Sequence, residues 1–351
     1  MILTAGTAIV LLAGFLGGVL GAAIGALSAL GLAGIVIVIG ELAELLVFDG
    51  TAVGMLATLG VDGAPVAAGP LSAVGLGPLL GPYVAFAGGV AAAAYAGRTG
   101  VVDTGFRYHQ AKQIRRPLFD RPRTLLVGGG FGVVGVLLGG LGSLLPVDPV
   151  AFAVVGSAFL VRLTVGYPLI GRFGETAVLD MSPFESGAYW GDSGHETTDG
   201  IAGRHVVEPW QPEYYEWRVV AALGVLVGAV SAAIALLTDS VLLPFGLALA
   251  SLFGLVFGLR VEGYPVPVTH HIVFPAAVGA LAIGGSLPID ILAGAAMGLI
   301  GSVTGELGQR ALYAHGDTHV DPAFASLLLS SLLIAVLVLA GVFERGVVPY
   351  L

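Results

Sequence analysis

Long apolar segments that carry almost no charge run through most of the sequence, and they restrict the fold more than any other feature. Charged residues make up 11% of the 351 residues, and the mean hydropathy is +0.96. Soluble domains are about one quarter charged, because their surface faces water. So few charges cannot cover a soluble protein of 35.3 kDa. We therefore expect an all-α fold, a polytopic transmembrane helix bundle.

The hydropathy pattern predicts about ten membrane spans, since each span needs about 20 mostly apolar residues. Residues 51–77 are also apolar, but glycine and proline interrupt them repeatedly. We expect a re-entrant or surface-lying segment there. The predicted spans cover residues 3–26, 30–48, 79–97, 124–146, 149–168, 218–238, 241–260, 268–285, 289–309 and 322–343.

The basic residues fall almost entirely into alternate loops. If the loop at 98–123 is cytoplasmic, twelve of the 14 arginines and lysines lie on the cytoplasmic side, and Arg162 and Arg345 are the exceptions. Positive charge accumulates on the cytoplasmic side of membrane proteins. We therefore expect a multi-pass protein of the cell membrane with both termini outside. A basic loop beside a membrane orients the chain or contacts anionic lipid, so we expect no nucleic-acid partner.

One polar stretch, residues 172–217, divides the sequence into two membrane halves. It holds nine acidic residues, two arginines and all three tryptophans of the chain. We expect an acidic cytoplasmic linker whose aromatic side chains pack on the bundle or lie at the membrane interface. A gating or partner-binding element is the alternative. The N-terminal membrane half is then 1–171, and the C-terminal membrane half is 218–351.

Two blocks, 123–168 and 218–265, indicate an internal repeat. Each begins with an arginine, turns once and ends with Gly-Tyr-Pro, at Gly166 and at Gly263. Both blocks enter and leave on the predicted cytoplasmic side, so this repeat would be parallel. Internal repeats are frequent in transporters, whose binding sites lie at the repeat interface.

Cysteine is absent and lysine occurs once, as Lys112, in a chain of net charge −9. An acid-rich, lysine-poor chain suits a salt-rich cytoplasm, because salt screens the repulsion between acidic groups. The glycine- and alanine-rich run Gly88–Gly97 and the segment Leu126–Gly130 resemble a group of haloarchaeal multi-pass membrane proteins with no assigned activity. This resemblance covers about half of the chain. It implies a membrane protein of ten or so helices and supplies no substrate, cofactor or site.

Ionisable side chains inside apolar spans are costly, so each one is a candidate ion- or substrate-binding group. Glu41 and Glu44 lie on one face of the second predicted span, where two carboxylates in a low dielectric share a proton or a cation. Simple hydration near the outer end is the alternative for Glu44. Arg162 either extends to the cytoplasmic end of its span or pairs with Glu41. Glu306 lies near the cytoplasmic end of the ninth predicted span.

Four histidines lie near the predicted cytoplasmic side, namely His270, His271, His315 and His319. Imidazole groups are good ligands for zinc-like metals, so these four are candidate metal ligands. His315 and His319 have ligand spacing only in a helix, and the glycine between them disfavours one. A pH-sensitive cytoplasmic rim and solvated loop histidines are the alternatives.

No nucleotide-binding, serine-hydrolase or zinc-protease motif occurs in the sequence. We expect a secondary transporter or channel-like permease for a small solute or ion, with the intramembrane carboxylates as its coupling or ion site. The alternatives are an intramembrane enzyme that uses the histidines with Glu306 or Glu262, and a scaffolding membrane protein. We expect no cofactor. The expected partners are the lipid bilayer, a small solute or ion and a second copy of the chain in a homo-oligomer.

Overall fold

The structure is a computed structural model that describes residues 5–46, 70–103, 110–173, 176–191, 203–344 and 346. This part of the chain is mostly helical, as the sequence predicts. Most of the segment predicted to be re-entrant lies outside the described residues. Its final part forms a short helix that packs against the second helix of the chain.

The helices follow one another with short connections in each half of the chain. In chain order they are α1 (Ala5–Ile24), α2 (Ala26–Leu46), α3 (Pro70–Leu76), α4 (Ala87–Arg98), α5 (Pro122–Gly142), α6 (Pro149–Val165), α7 (Ser182–Glu185), α8 (Trp217–Thr238), α9 (Leu242–Ala250), α10 (Phe253–Val256), α11 (His270–Ala282), α12 (Leu287–Gly308) and α13 (Pro322–Leu339). Two π-helical turns, Pro82–Phe86 and Gln309–Tyr313, precede α4 and follow α12. Strands β1 (Arg260–Val261) and β2 (Tyr264–Pro265) form one antiparallel hairpin.

Six helices of the described residues are long and apolar enough to cross a membrane, namely α1, α2, α5, α8, α12 with its π turn, and α13. The predicted spans at 79–97, 149–168, 241–260 and 268–285 correspond to shorter helices. Proline and glycine set these lengths. Helix α6, for example, begins at Pro149 and ends at Val165, because the next residue, Gly166, has a left-handed φ of 83°.

The helices run between two ends of the bundle. We call the end that carries residues 110–121 the basic end. There the Leu27 N–H at the start of α2 donates to the Ile114 carbonyl oxygen, and Arg115 donates to the Leu255 carbonyl oxygen at the end of α10. We call the other one the opposite end. There Glu41 of α2 accepts a hydrogen bond from Ser240 in the turn between α8 and α9.

Glycines let the outer helices approach each other closely in both halves. A Cβ atom on Gly132 of α5 would lie 2.9 Å from the Cα of Gly18 in α1, and one on Gly298 of α12 would lie 2.6 Å from the Cα of Gly228 in α8. Side chains would separate these backbones. Small residues at the contact of two membrane helices increase the packing between them in lipid, where apolar burial gives little driving force.

Helices α4 and α11 occupy the centre of the two halves. Almost every side chain of α11 is buried, and so are nearly all those of α4. The rings of Phe86, just before α4, and Phe324 in α13 pack together with centroids 5.9 Å apart. A helix that is surrounded by protein can be shorter than a membrane span, because its polar ends are then not exposed to lipid.

We predict that Gly135→Ala destabilises the protein, because the new Cβ atom would collide with the carbonyl oxygen of Tyr83. Overpacking of this kind costs about 1–3 kcal/mol. The matched control is Gly130→Ala on the same helix, where nothing lies within 4 Å of the new Cβ atom. The thermal unfolding midpoint in detergent should fall for Gly135→Ala and stay unchanged or rise for Gly130→Ala. Equal midpoints for the two variants would contradict the packing.

Candidate functional site

A cavity of about 550 Å³ enters the bundle from the basic end. Its walls come from both halves of the chain, with Leu27 and Leu30 of α2 on one side and Leu252 between α9 and α10 on another. Trp210 of the linker also lines it. Cavities of this size, mostly apolar with a few convergent polar groups, are typical of small-molecule sites.

Charged side chains surround the mouth of the cavity. The Lys112 ammonium lies 3.5 Å from Glu208, donates to the Tyr313 carbonyl oxygen and lies 3.9 Å from the centre of the Tyr313 ring. Burial lowers the pKa of Lys112 to about 7, and the Glu208 carboxylate only partly offsets this. Arg260 pairs with Glu213 at 2.8 Å on the exposed side. The mouth therefore carries both signs of charge.

His270, His319 and Asp321 lie at the inner wall of the cavity, and we call these three residues the floor. The His319 Nε2 donates to the Asp321 carboxylate over 3.1 Å. The second carboxylate oxygen accepts the Phe324 N–H over 2.8 Å, so Asp321 is also the N-cap of α13. The floor therefore contains an oriented imidazole–carboxylate pair.

The His270 side chain has an unusual environment. It is 1% exposed, and neither ring nitrogen has a hydrogen-bond partner among the described residues. A buried polar group without a partner costs about 1–3 kcal/mol. The Phe324 ring lies 5.4 Å from the imidazole and holds it in place. Because His270 lines the cavity, it is a candidate polar contact for a molecule that enters from the basic end.

Asp321 keeps a negative charge at the floor. Burial raises the pKa of its carboxyl, but the hydrogen bond and charge of His319 and the hydrogen bond from the Phe324 N–H oppose burial. The resulting pKa lies below the ordinary value. An ionised carboxylate beside an imidazole stabilises the protonated imidazole. Asp321 is therefore the charged group of the floor.

The structure places the predicted carboxylates of α2 at the opposite end. Glu41 is buried, and its two oxygens accept hydrogen bonds from Ser72 of α3, over 2.7 Å, and from Ser240. Glu44 lies further along α2 and is half-buried. Glu41 thus joins three segments of the chain at this end.

Arg162 lies at the basic end and is fully buried. Its guanidinium donates to the carbonyl oxygens of Leu169 (2.7 Å) and Leu312 (2.8 Å) and to the Thr318 hydroxyl (2.9 Å). The structure therefore does not bring Arg162 together with Glu41. The side chain instead joins α6 to the loop before α13.

Glu306 also has a structural partner. Arg310 donates to it over 2.6 Å and donates further to the Leu179 and Tyr215 carbonyl oxygens of the linker. His315 contacts the linker too, since its Nε2 lies 3.2 Å from the Val178 carbonyl oxygen. These side chains hold the linker against the bundle.

The four histidines therefore do not form one cluster. His270 and His319 lie at the floor, the His271 ring packs 5.7 Å from Trp210, and His315 faces the linker. Among the residues that the structure describes, no group of three or more histidine, aspartate or glutamate side chains could hold a metal ion. The metal-site interpretation finds no support in this part of the chain.

Sequence reasoning did not identify the helix-capping role of two buried aspartates that share the same local structure. Asp148 caps α6 by accepting the Ala151 N–H over 2.7 Å, just as Asp321 caps α13. Each follows a valine and precedes a proline, so Val-Asp-Pro occurs at residues 147–149 and 320–322. This repeated tripeptide was the available signal. The buried pair of Arg204 and Asp317 was missed as well.

The pKa of Asp148 gives a pH-dependent prediction. Burial raises this pKa from 3.8 to about 6, although the backbone N–H groups of Ala151 and Val150 oppose it. The folded state thus binds more protons than the unfolded state between these two pH values, so stability falls as the pH rises through this window. Asp148→Asn keeps the capping oxygen and removes the charge.

We expect Asp148→Asn to be more stable than the native protein at pH 7, by about 3 kcal/mol at most, and equally stable near pH 4. Asp120→Asn is the control, because Asp120 is exposed. Chemical denaturation across this pH range measures the effect. A native advantage at pH 7 would contradict the assigned burial of the charge.

No curated protein sequence and no solved structure is significantly similar to this chain. One family model matches the whole of it, residues 1–351. The chain belongs to the family described as a family of unknown function (DUF7973).

Proposed function

We propose that this protein is an integral membrane transporter that carries a small solute together with a proton. The cavity carries this proposal, because it enters from one end of the bundle and its lining includes His270, a buried imidazole without a hydrogen-bond partner among the described residues. Ionisable groups inside a membrane bundle mark substrate paths and proton relays. A packed scaffold has no use for such a cavity.

We place the coupling proton at the floor and not at Glu41. Both oxygens of Glu41 already accept serine hydroxyls, whereas His270 lines the cavity and neither of its ring nitrogens has a hydrogen-bond partner among the described residues. In the proposed cycle His270 takes up the proton, and the Asp321 carboxylate stabilises the charge. The other titratable groups around His270 are His271 on the same helix, His319 before α13, Tyr313 after α12, and Lys112 and Glu208 at the mouth.

The proposed membrane topology has about ten spans. The six long helices supply six of them, and α4, α6, α9 with α10, and α11 supply the shorter ones. Irregular or short helices at membrane depth are stable where protein surrounds them. With the basic end in the cytoplasm, both termini lie outside the cell. The acid-rich composition supports a haloarchaeal source, and the membrane is then the cell membrane.

Single cysteines test this orientation, because the native chain contains none. Asp120→Cys marks the basic end and Ser286→Cys marks the opposite end. We expect an impermeant maleimide to label Ser286→Cys in intact cells, and to label Asp120→Cys only after the cells are permeabilised. The reverse pattern would place the basic end outside and contradict the topology.

Purified protein in vesicles that enclose a pH-sensitive dye tests the transport function. Pools of amino acids, organic acids, sugars and inorganic ions are added outside in turn. We expect at least one pool to change the internal pH with the native protein but not with empty vesicles. His270→Gln should abolish that change, because it removes the titrating group and keeps a polar side chain.

The matched control is His205→Gln at the cavity mouth, which should retain the flux. Two outcomes would contradict the proposal. In the first, no pool changes the internal pH. In the second, His270→Gln transports as fast as the native protein.

A further inference from the structure

Equivalent helices of the two membrane halves pack in the same way but run in opposite directions. Gly18 of α1 packs on Gly132 of α5, and Gly228 of α8 packs on Gly298 of α12. Helix α1 runs from the opposite end to the basic end, where its Ala22 carbonyl oxygen accepts the Leu118 N–H. Helix α8 begins at the basic end and finishes beside Glu41. The order of contacts is therefore kept while the chain direction is reversed.

The central helices show the same correspondence. A Cβ atom on Gly135 of α5 would meet the Tyr83 carbonyl oxygen, and one on Gly301 of α12 would meet the His271 carbonyl oxygen. Gly135 lies three residues after Gly132, and Gly301 lies three residues after Gly298. Tyr83 before α4 is thus equivalent to His271 of α11. Phe86 lies three residues after Tyr83, and Phe274 lies three residues after His271, so these two phenylalanines are equivalent as well.

The contact between the two halves is itself symmetric. Gly34 of α2 packs on the backbone of Ala250 in α9, and Gly246 of α9 packs on the side chain of Val38 in α2. Exchanging the two helices exchanges these two contacts. If a two-fold rotation relates the two halves, its axis passes through the contact between α2 and α9. Because equivalent helices run in opposite directions, this axis would lie in the membrane plane.

The capping aspartates complete the pattern. Asp321 caps α13 at the basic end and borders the cavity, whereas Asp148 caps α6 at the opposite end. Helices α6 and α13 pack against each other and run in opposite directions. The Val-Asp-Pro tripeptides therefore occupy equivalent positions at the two ends of the bundle.

We infer that the two halves are inverted repeats, and that the protein adopts a second state in which an equivalent cavity opens at the opposite end with Asp148 as its carboxylate. This inference rests on the proposed transport function. It differs from the parallel repeat predicted from the two Gly-Tyr-Pro sequences, because it pairs α5 and α6 with α12 and α13. Transporters with inverted repeats exchange access in this way.

The equivalences identify the lining of the second cavity. Leu30, Val268 and Asp321 line the cavity at the basic end. Their counterparts, in the same order, are Leu242, Leu80 and Asp148. All three counterparts are buried in the present state. Leu30, Val268 and Asp321 are buried to the same extent, and what distinguishes the basic end is the cavity that they line.

Identifiable contacts hold the opposite end together. Glu41 joins α2 to Ser72 and Ser240, and Gly40 packs directly on the backbone of Ser72. The counterpart of His270 is Pro82, so the proposed transport site has its histidine on one side only. One proton site would thus be reached from either end in turn, with Asp148 as the carboxylate nearest the outer exit.

Cysteine labelling tests the second state without a known substrate. Leu242→Cys and Leu80→Cys are made singly, and an impermeant maleimide is applied to the opposite-end side of intact cells. Ala235→Cys is the control, since Ala235 of α8 is 0% exposed and belongs to a pair of helices that stays packed. We expect both test positions to react over time and the control to stay unlabelled.

The inference is overturned if neither test position reacts faster than Ala235→Cys. Gel filtration shows whether each variant folds. With two test positions, the test still works if one of the variants does not fold. Failure here is separate from failure of the transport function. A solute-driven pH change in vesicles with no labelling would leave transport intact and exclude the second cavity. Labelling without any solute-driven change would support the second state and contradict proton-coupled transport.

Discussion

The close packing of α1 on α5 and of α8 on α12 is the interaction on which the rest of the structure depends. In lipid, helices associate through tight packing, because burial of apolar surface gives little driving force. The helix backbones come this close because the contact residues are glycines, namely Gly18, Gly132, Gly228 and Gly298. Each pair forms a wall against which a central helix packs, α4 in one half and α11 in the other. The central helices can therefore be short and start or end inside the bundle.

The short central helices create the cavity and its floor. Because α11 begins at His270 inside the bundle, its imidazole lines the same cavity as Asp321 and His319 just before α13. The hydrogen bonds of Asp321 are satisfied by His319 and by the α13 N-terminus, whereas His270 lacks a partner within the described residues. In the proposed mechanism this difference allows a proton to bind at His270 while Asp321 stays ionised.

Sequence reasoning predicted the helical fold, and six helices fit the expected span length and hydropathy. Those properties are local, so periodicity and composition are sufficient to find them. The site was less predictable, because it depends on which helices are neighbours. Arg162 and Glu41 are both ionisable residues in apolar runs, yet they lie at opposite ends. Only the packing separates His270, which faces the cavity, from His315, which holds the linker.

The central claim is that the two halves are inverted repeats with a second state, which requires them to move relative to each other while the packed helix pair in each half stays together. Pulsed electron paramagnetic resonance between pairs of spin labels measures this directly. Labels at Gln113 and Leu259 span the cavity mouth between the halves, and labels at Leu16 and Leu137 lie on α1 and α5 within one half. The account predicts two distances across the mouth and one within the half. A single narrow distance for both pairs would contradict it.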